Sequence, residues 1–163
     1  MVHPKSTIRP LRFTTPDDLL TEVRRLVDAE RAGRLTRSGN WSLGQCLGHL
    51  ATWIDFPYDG YPPNLRPPLM IKLMLRPFKK KFLRGPLKPG VRIPKLATGT
   101  LGDEPRSTED GLARFERAWV RLRSAPPSIP NPIFGPMTHD EWIQGHLRHA
   151  ELHLGFLRDS RHA

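Results

Sequence analysis

The chain has 163 residues, enough for one domain with its own core, and 37% of them are hydrophobic, so it is not composed like a disordered chain. A single cysteine excludes an internal disulfide, and no apolar stretch approaches the roughly 20 residues that span a bilayer. The formal net charge of +10 is unevenly placed: residues 60–102 hold ten basic residues and no acidic one, and the rest of the chain is balanced.

Residues 1–10 contain no apolar run and read as an N-terminal tail, so no secretory leader is expected there. Residues 11–158 read as a single domain and 159–163 as a C-terminal tail. A soluble cytoplasmic protein is the expectation. Proline breaks helix interiors, so the proline-free stretches 17–56, 106–125 and 137–163 are the helix candidates.

The first helix is predicted from Thr15-Pro16-Asp17-Asp18 to about Gly33. Thr15 can cap, Pro16 suits the first helical position, and the acids favour the positive helix end. Leu19, Leu20, Val23, Leu26 and Val27 follow at helical spacing. The second is predicted from the capping box Ser42-x-x-Gln45 to Pro57, with Leu43, Cys46, Leu47, Leu50, Trp53 and Ile54 on its apolar face. The third starts at Ser107 or Thr108 and carries Leu112, Phe115, Trp119 and Leu122. The fourth starts at the capping box Thr138-x-x-Glu141 and runs to about Arg158. Four amphipathic helices without a convincing strand predict an all-α four-helix bundle.

The connection 57–105 is Pro-rich, basic and far too long for an ordinary bundle loop. Leu69–Leu75 could form a short helix in it, which Arg76-Pro77 would interrupt. Residues 66–95 are expected to cover one side or end of the bundle, with Leu69, Met70, Leu73, Met74, Phe78 and Phe82 as apolar anchors and the cations outward. Lys79-Lys80-Lys81 beside Phe78 and Phe82 reads first as a solvated loop. The alternative is a non-catalytic binding module that uses 66–95 for nucleic acid or anionic surfaces.

Histidine carries the sharpest chemical signal. His146, His149 and His153 fall at intervals of three and four, within roughly 60° of one another on one helix face. His49 borders the apolar face of the second helix. Imidazole is the commonest metal-binding side chain at neutral pH. Two histidines at i and i+4 plus a third from a facing helix can hold a metal and leave an open coordination position. The competing reading is four separate histidines, each hydrogen-bonded to a backbone carbonyl or a carboxylate. His139 reads as a surface residue, and His3 and His162 have no assigned role. Cys46, one helical turn from His49, reads as a buried inert thiol. Trp41 and Trp53 read as core residues. Glu141 and Glu151 read as solvated helix-face charges, or else as carboxylates that orient imidazoles.

Asn40-Trp41-Ser42-Leu43-Gly44-Gln45-Cys46-Leu47-Gly48-His49-Leu50 resembles the Trp-Ser…His-Leu signature of the DinB-like (YfiT-like) superfamily, whose members are regarded as metalloenzymes. His149-Ala150-Glu151-Leu152-His153-Leu154 resembles the paired histidines of that superfamily's last helix. Phe13-Thr14-Thr15, Asp59-Gly60-Tyr61-Pro62 and the run Pro132 to Trp142 resemble one uncharacterised domain-of-unknown-function branch. The resemblance spans roughly residues 11–158. It implies a bundle of up-down-down-up order and a divalent metal, zinc or nickel, held by His49, His149 and His153; His146 has no counterpart in that pattern and reads as a residue that supports the ligands or as an additional, fourth ligand. The chain departs from the family at Leu152, Phe156 and Asn131, where histidine, glutamine and histidine are common. A metal-dependent thiol transferase or a hydrolase is the implied activity, with a small molecule such as a low-molecular-weight thiol as partner. No specific nucleic-acid partner is expected, and homodimer formation is left open.

Overall fold

The computed structural model of the protein describes residues 8–65, 67–92 and 99–162. His3, Arg66 and Lys95 lie outside the described residues. The fold is mostly helical, with little sheet. Its helices are α1 (Pro16–Arg31), α2 (Leu43–Asp59), α3 (Leu69–Leu75), α4 (Lys79–Arg84), α5 (Thr108–Ser124) and α6 (His139–Leu154). The longest four start where local chemistry dictates. Thr15, Ser42 and Thr138 each accept a hydrogen bond from the backbone N–H three residues on, and the side chain at that position bonds back to the cap. Ser107 caps α5 through Asp110 N–H.

Leu19, Val23 and Leu26 of α1, Leu47 and Ile54 of α2, Phe115 and Trp119 of α5, and Leu147 and Leu154 of α6 share one hydrophobic core. Helix α2 lies along α5 and also meets α6; α1 and α4 both touch α6. The α2–α5 approach is backbone to backbone. A Cβ on Gly44 would stand 2.4 Å from the carbonyl oxygens of Arg106 and Ser107, and one on Gly111 would stand 2.5 Å from the Gly44 oxygen. No side chain fits at either position.

Four expectations need correction. Pro57 does not end α2; it sits inside the last turn, and the helix continues to Asp59 before Gly60 departs at φ 114°. Proline costs one backbone bond there, which a final turn tolerates better than a helix middle. The last helix stops at Leu154 instead of Arg158, because the chain then forms β2 (Leu157–Asp159), antiparallel to β1 (Leu35–Arg37). Leu35 pairs with Asp159 and Arg37 with Leu157. Strands of three residues are too short to show alternation in a sequence.

The third correction concerns Lys79–Arg84, which is helical and not a loop. The fourth concerns the anchors of the basic segment. Leu69–Leu75 forms the short helix, and a 3₁₀ turn at Arg76–Phe78 follows it. Yet Leu69, Met70, Leu73, Met74, Phe78 and Phe82 are all exposed, and within α3 and α4 Leu83 is the buried apolar side chain. Among the described residues no helix is long and apolar enough to cross a membrane.

Candidate metal centre

Helices α2 and α6 bring His49, His149 and His153 together, with one ring nitrogen from each lying within 4.8 Å of the others. His149 Nε2 stands 3.2 Å from His49 Nε2 and 3.0 Å from His153 Nε2. Two nitrogens bound to one tetrahedral zinc at 2.0–2.1 Å would be about 3.3 Å apart. Two of the three separations therefore match the spacing that a shared cation requires, and the third lies within 4.8 Å.

His49 is fixed by its other nitrogen. Nδ1 donates to the Leu101 carbonyl at 2.7 Å, which leaves Nε2 with its lone pair facing the cluster. The Leu101 carbonyl is aimed by the turn after it. Gly102 has φ 76°, and a Cβ there would meet Thr52 at 2.7 Å, so the chain can press against α2 only with glycine at this place. Gln45 tightens the same contact by donating from Nε2 to the Asp103 carbonyl at 3.2 Å.

Two tryptophans wall the cluster. Trp41 stacks on His153 with centroids 5.1 Å apart and planes 5° from parallel, and it meets His49 edge-on at 4.9 Å. Trp53 lies 6.0 Å from His49 and 5.8 Å from His149. Both are half-buried. Both wall the site, and Trp41 also packs against the hydrophobic core as the sequence predicts. His49 itself is buried, with 1% of its surface exposed.

Burial governs the protonation of all four rings. It pulls His49 and His146 down to about 4 and His153 to about 3. His149 falls well below its ordinary value through burial first and then through the neighbouring imidazoles His153, His49 and His146. All are neutral at physiological pH, the form in which imidazole offers a lone pair. His49 Nε2 is an acceptor in this state, His149 and His153 present either an N–H or a lone pair to the cluster according to tautomer, and with lone pairs inward the three suit a cation.

His146 stands apart from the three. It stacks on Trp142 at 6.0 Å, and its buried Nε2 has no hydrogen-bond partner among the described residues. Cys46 is buried, and burial pushes its thiol up to about 12, so it is inert at neutral pH. His139 is half-buried and bonds through Nε2 to the Leu122 carbonyl.

Glu151 departs from the reading as a solvated charge or an imidazole-orienting group. It is 7% exposed, accepts from Phe13 N–H at 2.5 Å and pairs with buried Arg148 at 2.8 Å. Arg148 in turn donates to the Phe13 carbonyl. This pair fastens the N-terminal segment to α6 on the side away from the cluster's ring nitrogens, since positions 148 and 151 are each rotated by roughly 100° or more from 149 and 153 on a helix. Glu141 caps Thr138 and bridges Lys79 at 2.6 Å.

Sequence reasoning did not find the Leu101 carbonyl, the Gly102 turn or the aromatic walls. Leu101 acts through its backbone and leaves no side-chain signal. Trp41 could have been found from its place in the motif beside Ser42.

Fold and site together define a small helical protein with a neutral three-histidine cluster, in which His49 is buried and His149 and His153 are half-buried. Residues 5–160 match the family described as "Protein of unknown function (DUF1569)". The chain belongs to that family. No curated protein and no solved structure matches it.

Proposed function

We propose that the chain is a DinB-like metalloprotein in which α1, α2, α5 and α6 form a four-helix bundle of up-down-down-up order. His49, His149 and His153 hold one divalent ion, zinc or nickel, with an open position left for a small molecule. The observation that carries this reading is the pair of Nε2 separations, 3.2 and 3.0 Å, between neutral rings on two helices. The donor set fits: three imidazole nitrogens suit zinc or nickel and leave a fourth position free.

When bound, such an ion lowers the pKa of a coordinated thiol or water and so supplies a nucleophile at neutral pH. The chain's own residues do the rest. The Leu101 carbonyl holds His49 in one tautomer, Trp41 fixes the plane of His153, and Trp53 excludes water from one side. His146 shares the helix face of His149 and His153 and its Nε2 has no partner among the described residues, and we assign it the hydrogen bond to an entering molecule. The reaction is a thiol transfer or a hydrolysis in the cytoplasm, on a small-molecule substrate.

The test is turnover of electrophiles with glutathione, bacillithiol or mycothiol, and of ester and amide substrates without a thiol, in zinc- and nickel-loaded protein. Metal-dependent turnover that His146→Ala diminishes supports the reading. A protein that binds the metal fully and turns over nothing in either form has a structural site.

A further inference from the structure

Within residues 69–84, the part 69–78 turns most of its apolar side chains to solvent. Leu69, Met70, Leu73 and Met74 share one face of α3, because positions i, i+1, i+4 and i+5 fall within roughly 140° of a helix. Met70 is 81% exposed, Leu69 69%, Met74 58% and Leu73 57%. Lys72 and Leu75, on the opposite side, are half-buried. Phe78, the last residue of the 3₁₀ turn that follows, is 54% exposed as well. Soluble surfaces seldom leave a contiguous apolar patch of this kind without a partner.

The patch is held in place. Leu83 is buried, the Phe82 ring lies 5.0 Å from that of Phe134, and Lys79 bridges Glu141 at 2.6 Å. These contacts fix α4 on α6, the helix that carries His149 and His153. The same segment is rich in exposed cations. Arg76, Lys80, Lys81, Arg84 and Lys88 are exposed, and none of the five is in an ion pair among the described residues. No acidic residue occurs between positions 60 and 102.

We propose that residues 69–84 are the docking surface for an anionic lipid bilayer, with the apolar side chains entering the headgroup–acyl boundary and the cations meeting lipid phosphates. The pairing of an exposed apolar face with exposed cations in one segment decides between occupants. Duplex nucleic acid would engage the cations and leave the Leu and Met side chains in water. A second copy of the chain would cover those side chains but set like charges against each other. An anionic bilayer satisfies both halves, since interfacial helices bind through buried apolar area together with attraction to acidic lipids. Helices α3 and α4 have 7 and 6 residues, so the association is peripheral.

The experiment is co-sedimentation of the full chain with vesicles of phosphatidylcholine, alone or mixed with phosphatidylglycerol, at physiological salt. Duplex DNA titration and sedimentation equilibrium run in parallel. The wild type should partition onto the phosphatidylglycerol vesicles and leave pure phosphatidylcholine vesicles nearly bare. The double variant Leu73→Asp, Met74→Asp should lower that partition by roughly tenfold or more, with an unchanged circular dichroism spectrum because both positions are exposed. Lys80→Glu, Lys81→Glu should lower it as well. Partition that either variant leaves unchanged, DNA binding tighter than vesicle binding, or a dimer that the aspartates break would each overturn the proposal.

Discussion

His49 and His149 face each other through Nε2 atoms 3.2 Å apart, although 100 positions separate them in the chain. Helices α2 and α6 supply the proximity, and the Leu101 carbonyl supplies the orientation. Because its Nδ1 proton goes to the Leu101 carbonyl, neutral His49 turns an acceptor Nε2 towards His149, which meets it with an N–H in one tautomer and with a second lone pair in the other. In the second tautomer the two lone pairs can share a cation.

Gly102→Ala tests the orienting role of Leu101. The new Cβ would meet Thr52 at 2.7 Å at a φ of 76°, so the turn must shift and carry the Leu101 carbonyl away from His49 Nδ1. Loss of a ligand's outer partner costs about 10–100-fold in metal affinity. Competition titration with a chromogenic chelator should show a loss of that size with the secondary structure retained. Unchanged affinity would mean that the Leu101 contact does not orient the ring.

Gly44→Ala tests the close approach of α2 and α5. The added methyl would overlap two backbone carbonyl oxygens at 2.4 Å, and backbone cannot rotate aside as a side chain can. Overpacking of this kind costs about 1–3 kcal/mol. Urea unfolding should show a lower midpoint with an unchanged slope. A midpoint equal to that of the wild type would contradict the backbone-to-backbone packing.

The caps and the α6 histidine stripe were legible because they are local. Thr15, Ser42 and Thr138 each meet their partner three residues on, and His149 and His153 share a face by helical period alone. The approach of His49 to that stripe came from the resemblance in residues 40–50, since spacing in the sequence says nothing about which helices face each other. Periodicity likewise shows that Leu69, Met70, Leu73 and Met74 share a face but not which way the face points, and here it points to solvent. Glu151 was misread for the same reason: its partner, the Phe13 N–H, is 138 residues away. Leu101 and Gly102 carried no side-chain signal at all.

Asp18 makes the stability of α1 depend on pH. Its carboxylate accepts from the Thr14 hydroxyl and from the Thr14 and Thr15 N–H groups, and these bonds hold it down to about 2, against an ordinary value of 3.8. The folded-state value is depressed, so the stabilisation is complete above about 4 and is lost as pH falls towards 2. Asp18→Asn should therefore be less stable than the wild type at pH 7, and the gap should close near pH 2. Thermal unfolding at the two pH values measures it, and a gap independent of pH would contradict the role of the charged form.

The most direct test of the three-histidine centre is elemental analysis of protein purified without a histidine tag, dialysed after loading with zinc or nickel. The cluster of His49, His149 and His153 predicts about one ion per chain, about none in His153→Ala, and similar helix content in both. An untagged wild-type chain that retains no ion after loading, or a His153→Ala variant that retains as much as the wild type, would contradict the metal centre.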